Sequence, residues 1–258
     1  MSAGAPGAGP QVPTPAGALA IAGYGDDALA ALAAIDVEAA LDASPAAVLV
    51  QRLGALHLAM RADDARGLRR KVGLIGRLLG RDVALQADAD ALAARIGVLL
   101  RDVDRAADAL ATHAAAQQAC IDAVEAGCAR LAQVEAEGQA RLDAMPAAAD
   151  TLPGDAAAQL ARRLDHLRTV LTTHALTARQ LALLRAQSTA LLARHRNIRD
   201  VLVPAWRQRA LGAGAVAGAV QARDAAAIEA QIASELAGMT ATLDSHGPVH
   251  GPDQETAA

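Results

Sequence analysis

Apolar residues return at alternating steps of three and four through the middle of this chain, the period of one face of an α-helix. Ile96, Leu99, Val103, Ala106 and Leu110 open the first run, and Val124, Cys128, Leu131, Val134, Leu142 and Met145 carry it onward. Pro146 and the stretch PAAADTLPGD interrupt it. A second run then passes through Leu160, Leu164, Leu167, Leu171, His174, Ala178, Leu181, Leu184, Ser188, Leu191, His195, Ile198 and Leu202. The spacing predicts a long helix over 82–145, a turn over 146–155 and a second long helix over 156–203. At 1.5 Å per residue the first would be ~95 Å long. Two such helices joined by a short connection fold back antiparallel. No alternating strand pattern competes, so the expected class is all-α: an elongated, coiled-coil-like hairpin of long helices with shorter accessory helices at both ends and disordered termini.

The flanks fill in the expected organisation. Residues 1–22 read as a disordered N-terminal arm, because MSAGAPGAGPQVPTPAG is rich in Pro, Gly and Ala. Short helices follow within 26–80. DDALAALAAIDVEAAL (26–41) opens with acidic residues, SPAAVLVQRLGALHLAM (44–60) opens with serine then proline, and RGLRRKVGLIGRLLGR (66–81) sets an apolar face under a basic one. A helical region of 81–243 then holds the hairpin, a Pro/Trp junction at 204–212 and a C-terminal helix at 216–243. Residues 244–258 read as a disordered tail. Pro204 lacks a backbone donor and clashes with the preceding turn, so the second long helix is expected to kink or end near Val203. Within the first seam His113 and Gln117 are polar, which reads as a register device. Gly127 and Gly138 each cost about 1 kcal/mol of helix propensity relative to alanine.

Composition narrows the picture. Of the 258 residues 53% are hydrophobic and 20% charged, with one tryptophan, one tyrosine and no phenylalanine. Much of the apolar fraction is alanine, which favours helix but buries little area, so narrow leucine seams must supply the packing. The N-terminus has no basic start followed by an apolar run, and a cytoplasmic protein is expected. ALGAGAVAGAV (210–220) is about half the length of a membrane span. Its Gly214 and Gly218 make a GxxxG spacing that here reads as close helix approach.

Charge divides by arm. Residues 82–155 carry thirteen acidic side chains against five arginines, and residues 160–210 carry ten arginines against Asp165 and Asp200. The arms are complementary, so flanking ion pairs should orient the hairpin more than stabilise it. The basic arm, Arg162, Arg163, Arg168, Arg179, Arg185, Arg194, Arg196 and Arg199, is alternatively a docking face for an anionic membrane surface or nucleic acid. Nucleic acid is the less expected partner, because the whole chain is acidic overall.

Candidate chemistry is sparse. Cys120 and Cys128 lie eight residues apart on one predicted helix, ~12 Å along the axis, which excludes a disulfide between them. They read as small buried residues; the alternative is thiol-based oxyanion capture, for which Arg130 is a poor activator among Asp122 and Glu125. His246 and His250 have a ligand-like spacing but only two ligands. No triad, carboxylate pair, zinc signature or phosphate loop is present, so no catalytic residue, cofactor or metal is assigned and no enzyme is expected. Trp206 in VLVPAWRQRALG is the standout residue. With Pro204, Arg207 and Arg209 it reads as a structural anchor or as a partner hot spot, for which tryptophan and arginine are enriched.

RRLDHLRTVLTTHALTARQLALLRAQSTALLARHRNIRDVLVPAWRQRAL resembles the C-terminal half of the toxic anion resistance proteins, the tellurite-resistance TelA-like family. The matching residues are Leu164, Asp165, Leu167, Gln180, Leu181 and a Pro-x-Trp-[Lys/Arg] element at Pro204, Trp206 and Arg207. The stretch from LIGRLLGRDVAL to AGCARL is similar to the family's first long helix, so the resemblance covers roughly residues 70 to 215. Ala205, Arg209, Ser188 and Thr189 depart from the family pattern. The resemblance implies a role in tolerance of tellurite or related stress, which a helical scaffold is expected to serve through partner proteins of a stress-resistance system; helix pairing itself also allows self-association.

Overall fold

The computed structural model describes residues 18–70, 81–145, 156–211 and 218–245. Every regular element among the described residues is helical: α1 (Ala18–Ala22), α2 (Asp26–Ala33), α3 (Val37–Leu41), α4 (Ala46–Arg70), α5 (Arg81–Asp143), α6 (Ala156–Asn197), a π-helical turn (Ile198–Leu202), α7 (Val203–Leu211) and α8 (Gly218–Asp244). The two long helices pack against each other as the expected hairpin. The expected turn at 146–155, residues 1–17 of the arm, 71–80 of the basic segment, Gly214, and the tail with His246 and His250 lie outside the described residues.

Four local expectations are corrected. Residues 18–22, assigned to the disordered arm, form α1, because Ile21 has an apolar site to fill beside Leu131, Leu160 and Leu164. The 26–41 segment divides into α2 and α3, where the Ile35 and Val37 amides donate to Leu32 and Ile35 carbonyls in tight turns. Two short helices were expected across 44–81, yet α4 runs unbroken over 25 residues, since Gly67 alone does not stop a helix. Its start is the expected one: Ser44 Oγ accepts the Ala46 amide at 3.3 Å, with Pro45 in the first turn. Finally, of the kink or end expected near Val203, the end does not occur. The helix widens into the π turn, where the Val203 amide donates to the Ile198 carbonyl five residues back, and continues as α7.

The chain folds as two compact units, each built from a length of both long helices. The described residues of the tyrosine unit fall within Met1–Val37 and Ala119–Leu181. Its core is Ile21 and Leu32 from the N-terminal helices, Leu131 from α5, and Leu160, Leu164 and Leu167 from α6. Here the two seam glycines find their purpose. A Cβ at 127 would lie 2.5 Å from Leu32 Cδ1, and one at 138 would lie 2.5 Å from Leu164 Cδ2 and 2.8 Å from Tyr24 Cε1. The propensity lost at each glycine is exchanged for a hollow that a neighbouring helix fills. Gly25, at φ 82°, lets the chain turn between α1 and α2 against Leu167 and Val134. The Tyr24 hydroxyl then donates to the Val134 carbonyl at 2.7 Å, and Arg141 stands over its ring.

The described residues of the tryptophan unit fall within Glu38–Gln118 and Ala182–Ala258. Leu49, Leu53, Leu56 and Met60 of α4, Ile96, Val103 and Leu110 of α5, Leu191 of α6, Ile198 and Leu202 of the π turn, Trp206 of α7, and Ile228, Ile232 and Met239 of α8 form one core. α8 packs on α4, on α7 and on the π turn. Gln117, predicted to fix register, is buried on α5 and donates to the Ala40 carbonyl at 3.3 Å. That carbonyl lies in the last turn of α3, where a helix leaves acceptors without partners.

Candidate functional site

Trp206 reaches its place through the π turn. Pro204 has no N–H to give and would crowd the carbonyl one turn back; widening the preceding turn relieves both conflicts. With the helix continuing, Trp206 points into the core, only 1% exposed, and its indole Nε1–H donates to Glu229 Oε1 of α8 at 3.0 Å. A buried indole needs such a partner. Pro204 and Arg209 remain exposed. Arg209 pairs with Asp224 at 3.4 Å. Arg207 is half-buried, and its Nε lacks a hydrogen-bond partner among the described residues. The indole is therefore an internal prop between α7 and α8, and the outward surface of this motif is carried by Pro204, Arg209 and, one turn earlier, the exposed Val201.

The eight arginines of the basic arm divide between tasks. Two tie the arms together: Arg168 to Glu135 at 2.6 Å, and Arg199 to Asp104 at 2.6 Å. Two others hold accessory helices. Arg163 donates to the Tyr24 carbonyl at 2.8 Å and pairs with Asp26, while Arg194 pairs with Glu235 at 3.0 Å beside an Asn197 amide that donates to the same carboxylate. Arg194 lies so close over Gly238 that a side chain there would push its guanidinium aside. Arg162, Arg179, Arg185 and Arg196 form no ion pair among the described residues. Charge complementarity between the arms is thus used in part for the hairpin and in part for docking α2 and α8.

Around Asp104 the charges concentrate. Asp104, Asp108, His195, Arg196, Arg199 and Asp200 line an open cavity of about 410 Å³ in the tryptophan unit. Hydrogen bonds to Asp104 first, and to Asp200 second, hold the proton of Arg199 more firmly than in an ordinary arginine. His195 is buried beneath them, and that burial pushes its pKa below the usual histidine value, with Asp104 pulling the other way. Its Nε2 lies 3.6 Å from Asp104 Oδ1, too long for a hydrogen bond.

The cysteines are poorly placed for thiolate chemistry. Burial raises the Cys120 pKa, with Asp36 adding to it; burial and then Glu125 raise that of Cys128. A nucleophilic thiol needs the opposite shift. Cys120 Sγ instead rests 3.9 Å from the Asp36 carbonyl. Among the described residues, no group of three or more His, Cys, Asp or Glu side chains could hold a metal ion, and no helix is long and apolar enough to cross a membrane.

Sequence reading had found Trp206 and the arginines but not their partners. Glu229 and Glu235 are the only glutamates of α8, but nothing in their spacing marks them as partners of the indole or of Arg194. Asp104 and His195 needed the register of α5 against α6, which sequence spacing alone leaves open.

No family model matches the chain, and no solved structure matches it. Among characterised proteins it is similar to Protein KlaA of Escherichia coli, 26% identical over 170 residues. The match takes in 64% of this chain and spans 66% of the length of KlaA, a distant relationship.

Proposed function

We propose that this chain is a non-enzymatic helical scaffold of the toxic anion (tellurite) resistance kind, acting in stress tolerance by binding protein partners. The resemblance over residues 70 to 215 and the distant likeness to Protein KlaA point the same way. The observation that carries the scaffold reading is the inward-turned Trp206. The motif fixes α7 on α8 and leaves Val201, Pro204 and Arg209 outward, a rigid surface a partner can use. The test pairs affinity purification with tellurite tolerance in cells lacking the chain and supplied with wild type, Val201→Asp or Arg209→Glu. Loss of a co-purifying partner together with tolerance, at unchanged helicity, is expected. Unchanged tolerance on removing the chain would end the resistance role, and an unchanged partner set in both variants would end the α7 surface.

A second reading has its own observation. Arg162, Arg179 and Arg196 are exposed and form no ion pair among the described residues, which supports peripheral contact with an anionic membrane surface. Retention on phosphatidylglycerol vesicles at low salt, lost at high salt, is its expected signature. Absence of retention at low salt would remove it.

A further inference from the structure

We propose that His195 makes the tryptophan unit responsive to mild acid: taking up a proton, its ring draws Asp104 away from Arg199 and loosens α5 against α6 there. The groups facing His195 are Asp104 and Asp108 from α5, Arg196 from its own helix, and Arg199 and Asp200 from the π turn. The residue is 6% exposed, and its Nε2 has no hydrogen-bond partner among the described residues. A neutral ring tolerates that position at modest cost. An imidazolium does not, because both ring nitrogens then carry protons and a buried N–H⁺ demands an acceptor. Asp104 Oδ1, 3.6 Å away, is the acceptor at hand. It is already held by Arg199, whose Nε and Nη2 donate to its two oxygens at 2.6 and 3.2 Å. Closing the gap to His195 pulls that carboxylate inward from the guanidinium; leaving the gap open strands a charge in the core. Either way the protonated ring is less compatible with the fold than the neutral one.

The direction of the pH dependence follows. Burial favours the neutral ring in the folded unit, so between the ordinary histidine pKa and the lower folded value the unfolded chain binds more protons, and stability falls as pH falls. His195 lies three residues before the core turn of Ile198 and Leu202 that leads to Trp206, so the chain's one indole reports on this unit.

Urea unfolding of the full chain, followed by Trp206 fluorescence at pH 7.5, 6.5 and 5.5, tests the proposal against His195→Gln. In wild type the unfolding constant should rise below pH 6.5, by up to about tenfold per pH unit for each proton taken up. His57, which sits beside Arg61 and whose pKa burial also lowers, contributes a background shared by both proteins. The variant should lose about one proton of that slope. Equal slopes in the two proteins would overturn the proposal. Should the variant fail to fold, histidine ring NMR of wild type decides. A His195 midpoint below 6.5 with a concurrent shift of the Arg199 Nε resonance supports the switch. A midpoint at or above 6.5, or an unmoved Arg199, refutes it.

Discussion

The tyrosine and tryptophan units clothe the same two helices in different ways. In the tryptophan unit the covering elements are long, α4 of 25 residues and α8 of 27, and they supply large apolar side chains: four from α4, three from α8 and an indole from α7. In the tyrosine unit they are short, α1 of five residues and α2 of eight, and contribute only Ile21 and Leu32 to the buried core. A short helix brings too little apolar surface to hold itself by burial alone. The tyrosine unit compensates by bringing backbones close. Gly127 and Gly138 hollow the surface of α5, Leu32 and Tyr24 fill the hollows, and a tyrosine hydroxyl and an arginine fix the segment to the hairpin. Where large residues are available the chain packs by volume. Where they are not, it packs by fit and hydrogen bonding.

That contrast can be broken at defined points. Trp206→Ala removes the largest side chain of the volume-packed unit and the indole donor to Glu229; a loss of about 3–5 kcal/mol is expected. Hydrogen exchange should quicken in α7 and α8, while α2 keeps its protection; equal loss in both would merge the two units. Gly138→Ala raises helix propensity yet should destabilise by about 1–3 kcal/mol, because the methyl collides with Leu164 and Tyr24. A thermal melt showing a more stable variant would refute the fitted hollow. Tyr24→Phe removes one hydrogen bond at an otherwise unchanged ring and should cost about 1 kcal/mol, read from urea titration. Arg168→Ala, at a pair whose arginine is half exposed, should cost no more than about 1 kcal/mol and less still at high salt.

The long elements were legible because their signal is long. Seams sustained over many turns leave little freedom in type, and the described parts of α5 and α6 are helical along the seams that the apolar spacing predicts. The accessory helices were harder. α1 is five residues in a Pro/Gly/Ala-rich context, and what makes it helical is a site on α5 and α6 rather than its own propensity. Gly127 and Gly138 looked like local weaknesses because a hollow has meaning only beside the residue that fills it. Gln117 was readable as a register device, but its partner, the Ala40 carbonyl, lies 77 residues away in sequence. Pro204 marked the place of a distortion but not its form, for a related reason. The rule that proline breaks helices is local, and here burial of Ile198, Leu202 and Trp206 on both sides favours keeping the rod and widening one turn. At the candidate site Trp206, Arg194 and Arg199 were visible by type, whereas their acceptors Glu229, Glu235 and Asp104 depend on which helix faces which.

The widened turn acts as an angular offset, equivalent to one extra residue spliced into an ordinary helix. Each residue advances a helix by about 100°, so an unwidened path from Ile198 would deliver position 206 rotated by about that angle, off its present line to Glu229. How the indole of VPAWRQ meets α8 is decided not at Trp206 but in the five residues before Val203.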